Sequence, residues 1–374
     1  MAYTVLARRY RSAEFDQVVG QEPIARTLQA AVAQGRVAHA YLFTGTRGVG
    51  KTSTARLLAK ALAGGTPEAD AAIMQGRDTD VIEIDAASNS KVEETRELIA
   101  NAVYRPLRGK KKVYIIDECH MLSSASFNAL LKTMEEPPEH VVFILCTTEA
   151  HKVPATIQSR CQRFDFRNIA PADIASHLGR VLQQEGVRAE PELLHAVARL
   201  AAGSMRDSLS LLDRLLASGE KHLTLGLLHE LLGLPDRELV SAVVDALASG
   251  DAAAALDATD ELIRRGLSPE MMLESLIDRL RDLMLLAQCG RDTTLVATSG
   301  AAREQDLARA ARFDAAALVH MIAVAESVHR SLRYSSHPRA ILDAAMVRLA
   351  HAEKFADVAA ILAGEPGAAP AKKH

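Results

Sequence analysis

The segment Gly45-Thr46-Arg47-Gly48-Val49-Gly50-Lys51-Thr52 constrains this chain more than any other, because the apolar run Ala40-Tyr41-Leu42-Phe43 precedes it and a helical pattern from Ser53 to Ala63 follows. Strand, glycine loop and helix in that order make a phosphate site. Backbone N–H groups of a loop with so little side chain close around phosphates, the helix N-terminus adds partial positive charge, and Lys51 reaches the outer phosphates. Thr52 is left to hold Mg²⁺ through its hydroxyl. A chance glycine-rich turn would not carry both flanking elements, so Gly45 to Ser53 is the expected nucleotide-binding set.

A chain of 374 residues is long enough for about two or three domains with real cores. Aromatic residues make up only 4% and Trp is absent, so the interior has to be built from Ala, Leu, Val and Ile, which favours helices. A net charge of −3 gives no global attraction to nucleic acid or membrane, and any polyanion contact must come from a local basic surface. The start, Met1 to Arg11, breaks into charge before a signal-peptide core develops, and no later stretch is free enough of charge to span a bilayer. Cys119, Cys146, Cys161 and Cys289 are isolated, with no C-x-x-C pair, which argues against a disulfide framework or a zinc knuckle. A cytoplasmic protein without membrane contact is expected.

From about residue 40 to 166, short apolar runs rich in β-branched residues alternate with helical patterns: Ala40–Phe43, Val81–Ile84, Val113–Ile116, Val141–Leu145 and a last one near Arg163–Phe166. Continuous apolar strands between helices predict a parallel sheet covered on both faces, with ligands at the carboxyl ends of the strands. Pro171 opens a different texture, helical over Ile174–Gln184, Pro191–Ala202 and Ser204–Ala217, which predicts a small all-helical unit. Beyond Pro235 a further helical region runs almost to Leu362, and the Gly/Pro/Ala tail that follows has the composition of a flexible linker. The expected domains are 1–168, 169–232 and 233–363, with a tail 364–374.

Val113-Tyr114-Ile115-Ile116-Asp117-Glu118 supplies the second half of a nucleotide site, a buried strand ending in two carboxylates. Adjacent buried acids are costly without a cation. Asp117 is expected to hold Mg²⁺, directly or through water, and Glu118 to orient or deprotonate the attacking water. His120 has no second ligand near it in sequence and is expected to be packed or hydrogen-bonded; Cys119 and Cys146 are expected to fill core. After the fourth strand, Thr147 or Thr148 offers a hydroxyl where a sensor of the γ-phosphate would stand, with Thr148 preferred. Arg160 ends a short helix, where a salt bridge is its plain role. Arg206 adjoins the stripe Met205, Leu209, Leu212 and Leu216, either reaching the nucleotide or lying along its helix.

Leu6-Ala7-Arg8-Arg9-Tyr10-Arg11, Val19-Gly20-Gln21-Glu22, the glycine loop, Ile84-Asp85-Ala86-Ala87-Ser88-Asn89, Ile116-Asp117-Glu118-Cys119-His120-Met121-Leu122, Phe127 to Pro138, Ser159-Arg160-Cys161 and Gly203-Ser204-Met205-Arg206-Asp207 occur in that order. Together they closely resemble the gamma/tau family of bacterial DNA polymerase III subunits, the ATPases of the clamp loader. The likeness is strong over about residues 1 to 230. It continues more weakly through Leu276 to Asp282 and Pro338 to Leu342, which look like the family's collar.

The resemblance implies an AAA+ P-loop module, α/β with a parallel sheet, then a helical lid and a helical collar. It makes Arg160 an arginine finger acting on nucleotide held by the neighbouring subunit, and Arg206 the lid's nucleotide sensor. Arg8, Tyr10, Arg11, Val18 and Val19 match the amino-terminal segment that lines the family's adenine pocket. Implied ligands are ATP and Mg²⁺; implied partners are delta and delta-prime type subunits, further copies of the chain, the sliding clamp and primed DNA. Two departures matter. The zinc-binding cysteines common in the family are missing from Gly64 to Gly76, so no zinc is expected, and the sequence stops just past the collar, which resembles the family's short form or a truncated piece of the long one.

Expected DNA contacts are to the backbone and salt-sensitive, with Ser88 to Lys91, Ser123-Ser124, Arg105 and Arg108 as candidates. Two other functions compete with clamp loading. One is an AAA+ motor such as a branch-migration helicase, disfavoured by a collar-like region with no winged-helix pattern. The other is a non-catalytic scaffold, against which the intact loop, Asp117-Glu118, Arg160 and Arg206 stand together.

Overall fold

The structure, a computed structural model, describes residues 4–88, 104–233, 237–293, 295, 296, 298 and 300–352. Asn89, Ser90 and Lys91 of the expected DNA-contact set, Pro235 and the tail 364–374 lie outside the described residues. The chain divides into two compact units between Leu225 and Gly226.

The first unit runs α1 (Leu6–Arg9), α2 (Glu22–Ala33), β1 (Ala40–Thr44), α3 (Lys51–Ala63), α4 (Pro67–Gln75), β2 (Val81–Asp85), β3 (Lys112–Asp117), α5 (Ser124–Glu135), β4 (Val141–Thr147), α6 (Ala155–Gln158) and β5 (Gln162–Asp165). The five apolar runs are the five strands, with only their ends shifted. They pair in the order β2-β3-β4-β1-β5, all parallel.

Alternate residues of each strand enter opposite cores. Tyr41, Phe43, Ile115 and Ile144 pack with Leu28 of α2 and Leu58 of α3. Leu42, Tyr114, Phe143 and Leu145 face the other way, onto Phe127 and Leu130 of α5. Both faces are covered, so the central strands had to be apolar without interruption. At the sheet edge β5 exposes Arg163 and Asp165, paired at 2.7 Å, charges that discourage addition of another strand.

Two elements differ from the sequence expectation. Helix α3 starts at Lys51, ahead of the apolar pattern, because Gly50 (φ 103°) turns the chain directly into the helix and its first residues are polar. The short stretch after it, read only for its lack of cysteines, folds as α4: the Thr66 hydroxyl accepts from Ala69 N–H at 3.2 Å, and Gly76 (φ 69°) ends the helix.

The unit continues with α7 (Pro171–Glu185), β6 (Arg188–Ala189), α8 (Pro191–Leu200), α9 (Met205–Leu216) and β7 (His222–Leu223). The expected all-helical character is therefore corrected: β6 and β7 form a parallel ladder of two residues each, too short to leave a periodic signal. Buried Asp80, just ahead of β2, accepts N–H bonds from Leu107 (2.6 Å), Arg108 (2.8 Å) and Gly109 (2.9 Å). Burial pushes its carboxyl pKa up, but these donors and the Arg108 charge more than reverse that and hold it below the ordinary carboxylate range.

The second unit is helical among the described residues: α10 (Leu225–Leu232), α11 (Arg237–Ala248), α12 (Ala252–Arg264), α13 (Pro269–Cys289), α14 (Gly300–Ala310), α15 (Ala315–Leu332) and α16 (Pro338–Ala350). Leu273, Leu276, Leu280 and Leu283, at helical spacing on α13, share one core with Leu318, Met321 and Ala325 of α15. Inside it, buried Arg279 donates to Ser241 Oγ at 3.1 Å and to Asp306, which Arg237 also engages. Truncating one partner would leave a buried charge uncompensated. No described helix is long and apolar enough to cross a membrane.

Candidate active site

The glycine loop takes its shape from backbone that side chains resist: Gly45, Gly48 and Gly50 have φ of 139°, 78° and 103°. A Cβ on Gly45 would lie 2.4 Å from the Phe166 carbonyl oxygen, whereas one on Gly50 would meet nothing within 4 Å. The loop thus lies against β5's exit on one side and is open on the other. That open side is a cavity of about 750 Å³ lined by Arg47 to Ser53. The same cavity gathers Arg8, Tyr10, Arg11, Val18 and Val19 from the amino-terminal segment, Asp117 and Glu118 from the end of β3, and Arg206 from α9. Gly45, Thr46, Thr148 and Arg160 do not line it. Lys51 Nζ donates to the Gly45 and Thr46 carbonyls at 2.8 and 2.7 Å, and burial lowers its pKa.

Thr52 Oγ1 donates to Asp117 Oδ2 at 2.7 Å, joining the loop to the acid pair. Burial raises the Asp117 pKa. A hydroxyl beside a carboxylate that pays for its charge is the hard-oxygen donor set that suits Mg²⁺. Glu118 adopts a left-handed backbone, φ 46°, a strain on the order of 1 kcal/mol that clusters at functional sites. Its Oε2 accepts from Thr148 Oγ1 at 3.0 Å and from Thr148 N–H at 3.3 Å. Of the two threonines left open by the sequence, Thr148 is the one on Glu118. Thr147 is wholly buried and faces His120 instead.

The start of α9 sits on the loop. Gly48 O accepts from Met205 N–H at 3.0 Å and Arg206 N–H at 3.4 Å, and a Cβ on Gly48 would fall 1.9 Å from Ser204 Oγ. Arg206 is thereby carried to the cavity wall. Burial, then the neighbouring charge of Arg56 and further those of Arg206 and Arg8, lower the Arg11 pKa to about 10. Such convergence of guanidinium groups in a partly buried cavity calls for an anionic occupant, which a polyphosphate supplies. Arg9 Nη2 reaches Glu185 of α7 at 2.5 Å, and Tyr10 donates to the same carboxylate.

Several contributors were not assigned from the sequence. Glu83 stands inside β2 and grips Arg56 through two bonds of 2.6 and 2.7 Å; a charge in an otherwise apolar run was the available signal. Gln21 is buried, bonds both N–H and C=O of Arg167 and lies 3.5 Å from the Val49 carbonyl, tying the loop to the chain beyond β5. His177 lines the cavity, with its pKa lowered by burial and by Arg180. Cys119 and Cys146 are core residues whose thiols burial pushes far up.

Arg160 Nη2 pairs with Glu135 at 3.0 Å and Nη1 donates to the Thr156 carbonyl at 2.9 Å, on a surface away from its own cavity lining. Among the DNA-contact candidates, Ser123 caps α5 by accepting from Ser126 N–H at 3.1 Å, and Ser88 Oγ donates to Asp85 at 2.8 Å. Ser124 is the first residue of α5. Arg108 pairs with Asp78 at 3.0 Å, and Arg105 is exposed. Among the described residues no group of three or more His, Cys, Asp or Glu side chains is arranged to hold a metal ion.

The family model for "DNA polymerase III, delta subunit" matches residues 20–170, that for the "DNA polymerase III clamp loader subunit, ATPase lid domain" residues 173–221, and that for "DNA polymerase III subunits gamma and tau domain III" residues 223–363. DNA polymerase III subunit gamma of Buchnera aphidicola is 38% identical over 295 residues, covering 76% of this chain and 81% of that protein. The chain belongs to the gamma/tau family of DNA polymerase III subunits. Subunit tau of Escherichia coli is 44% identical over 76% of this chain, and that of Bacillus subtilis 39% identical over 93%. The chain spans 46% and 63% of the length of these two gamma/tau relatives.

Proposed function

We propose that the chain is an ATPase subunit of a DNA polymerase III clamp loader, using ATP binding and hydrolysis to load the sliding clamp onto primed DNA. The observation that carries this is the Thr52–Asp117 bond of 2.7 Å, which puts the phosphate loop and the acid pair on one cavity that Arg206 also walls. Residues 1–168 would form the AAA+ module, 169–232 the lid, 233–363 the collar and 364–374 a tail, in a cytoplasmic assembly with no membrane contact. Delta and delta-prime type subunits and further copies of the chain would be its partners.

Loop N–H groups and Lys51 hold the phosphates of ATP, while Arg8, Tyr10, Arg11, Val18 and Val19 enclose the base. Thr52 and Asp117 would hold Mg²⁺, which supplies charge neutralisation across the phosphates. Glu118 orients the attacking water and takes its proton, and Thr148 fixes the carboxylate by the bond already present at 3.0 Å. Arg206 follows the phosphates from the lid, and Arg160 stabilises developing charge in the neighbouring subunit's site. Glu118→Gln is expected to keep ATP binding while stopping turnover, checked by equilibrium nucleotide binding beside phosphate release. Loss of nucleotide affinity together with turnover would contradict that division of roles.

The function itself is tested by reconstituting the chain with delta and delta-prime type subunits and following labelled clamp onto primed circular DNA. ATP is expected to drive retention of closed clamp on the circle and to be hydrolysed faster when clamp and primed DNA are both present. ATP-driven strand separation or junction migration indifferent to clamp would establish the competing motor instead. The scaffold alternative predicts assembly with no hydrolysis.

A further inference from the structure

Resting on the hydrolase function proposed for this site, we propose that His120 is a positioning residue that sets the orientation of the Glu118 carboxylate during turnover. The ring sits in the tight turn that follows the strained Glu118, its side chain only 7% exposed. Nδ1 lies 3.0 Å from Thr147 Oγ1 and 3.4 Å from Glu118 Oε2, and Nε2 lies 3.9 Å from Glu149 Oε1. Thr147 Oγ1 also accepts the Glu149 N–H at 3.0 Å. The imidazole therefore stands between the acid at the end of β3 and the hydroxyl at the end of β4.

That place makes the ring's tautomer matter to the acid. With hydrogen on Nδ1 the ring donates to Thr147 and presents the same hydrogen to Oε2, which draws the carboxylate toward β4, where Thr148 binds it. With hydrogen on Nε2 the ring accepts the Thr147 hydroxyl proton and turns a lone pair toward Oε2, which weakens the hold. Thr147 and Glu118, the two oxygens that face Nδ1, are thus set through one side chain. No contact of His120 with nucleotide is required; it acts through Glu118.

The test uses the reconstituted complex and measures ATP affinity, turnover and melting temperature of His120→Phe, His120→Asn and His120→Gln, with Glu118→Gln alongside. Phe fills the volume without a polar atom, and its turnover is expected to fall between about tenfold and 100-fold with ATP affinity unchanged. Asn places an amide nitrogen near the Nδ1 position and is expected to recover most of the rate; Gln, whose amide falls near Nε2, is not. Native turnover in His120→Phe, or equal defects in the Asn and Gln variants, would overturn the proposal, and should the Phe variant fail to fold, the Asn/Gln comparison decides alone. Native turnover in Glu118→Gln would instead remove the role of Glu118 through which His120 is proposed to act, whereas absence of turnover in the unsubstituted complex would remove the hydrolase function on which it rests.

Discussion

Lys51→Ala is expected to abolish ATP hydrolysis, with phosphate release falling at least about 10²- to 10³-fold, the range for loss of one preorganised electrostatic donor. Lys51 stands at the junction of loop and helix, and its Nζ lies within 2.8 Å of the Gly45 and Thr46 carbonyls, on the loop that would hold the phosphates. Two further cations of the cavity are placed differently. Arg56 is committed to Glu83 and the Met74 carbonyl, and Arg206 enters from the lid side on α9. Lys51 is 6% exposed, so the truncation also costs some packing, and the variant's melting temperature has to be measured beside its phosphate release. Near-normal turnover in a folded variant complex would show that the loop is not the phosphate site.

Much of this architecture was legible because the physics acts locally. Val113 to Ile116 had to be a strand buried on both faces, since Tyr114 and Ile116 enter one core while Val113 and Ile115 enter the other. The loop was legible for a similar reason: three glycines with positive φ have no substitute there. What escaped depends on partners far away in sequence. Gln21 meets Arg167, and Arg56 meets Glu83, through side chains whose pairing no local pattern records. The ladder of β6 and β7 is two residues long and leaves no period to detect. His120, expected to be packed or hydrogen-bonded, is both, and its neighbour across the sheet, Thr147, comes from a different strand and gives the packing its chemical interest.

Arg160 separates a shared ATPase from a self-contained one. Its guanidinium is paired with Glu135 on its own chain and does not line its own cavity, so two roles remain in competition: a helix-end charge, or a finger offered to the neighbouring subunit. As an exposed ion pair it would contribute only about 0–1 kcal/mol to stability, and its loss would leave hydrolysis untouched. As a finger it would be worth about 10³ to 10⁵ in rate. Arg160→Ala is thus expected to retain its own nucleotide binding while the complex loses turnover.

The decisive measurement mixes Arg160→Ala chains with Lys51→Ala chains, confirms co-assembly, and records ATP hydrolysis in the presence of clamp and primed DNA. Hydrolysis above that of either parent is predicted wherever an intact loop meets an intact finger. Mixed complexes as inactive as both parents would contradict a site shared between subunits and leave Arg160 a structural charge.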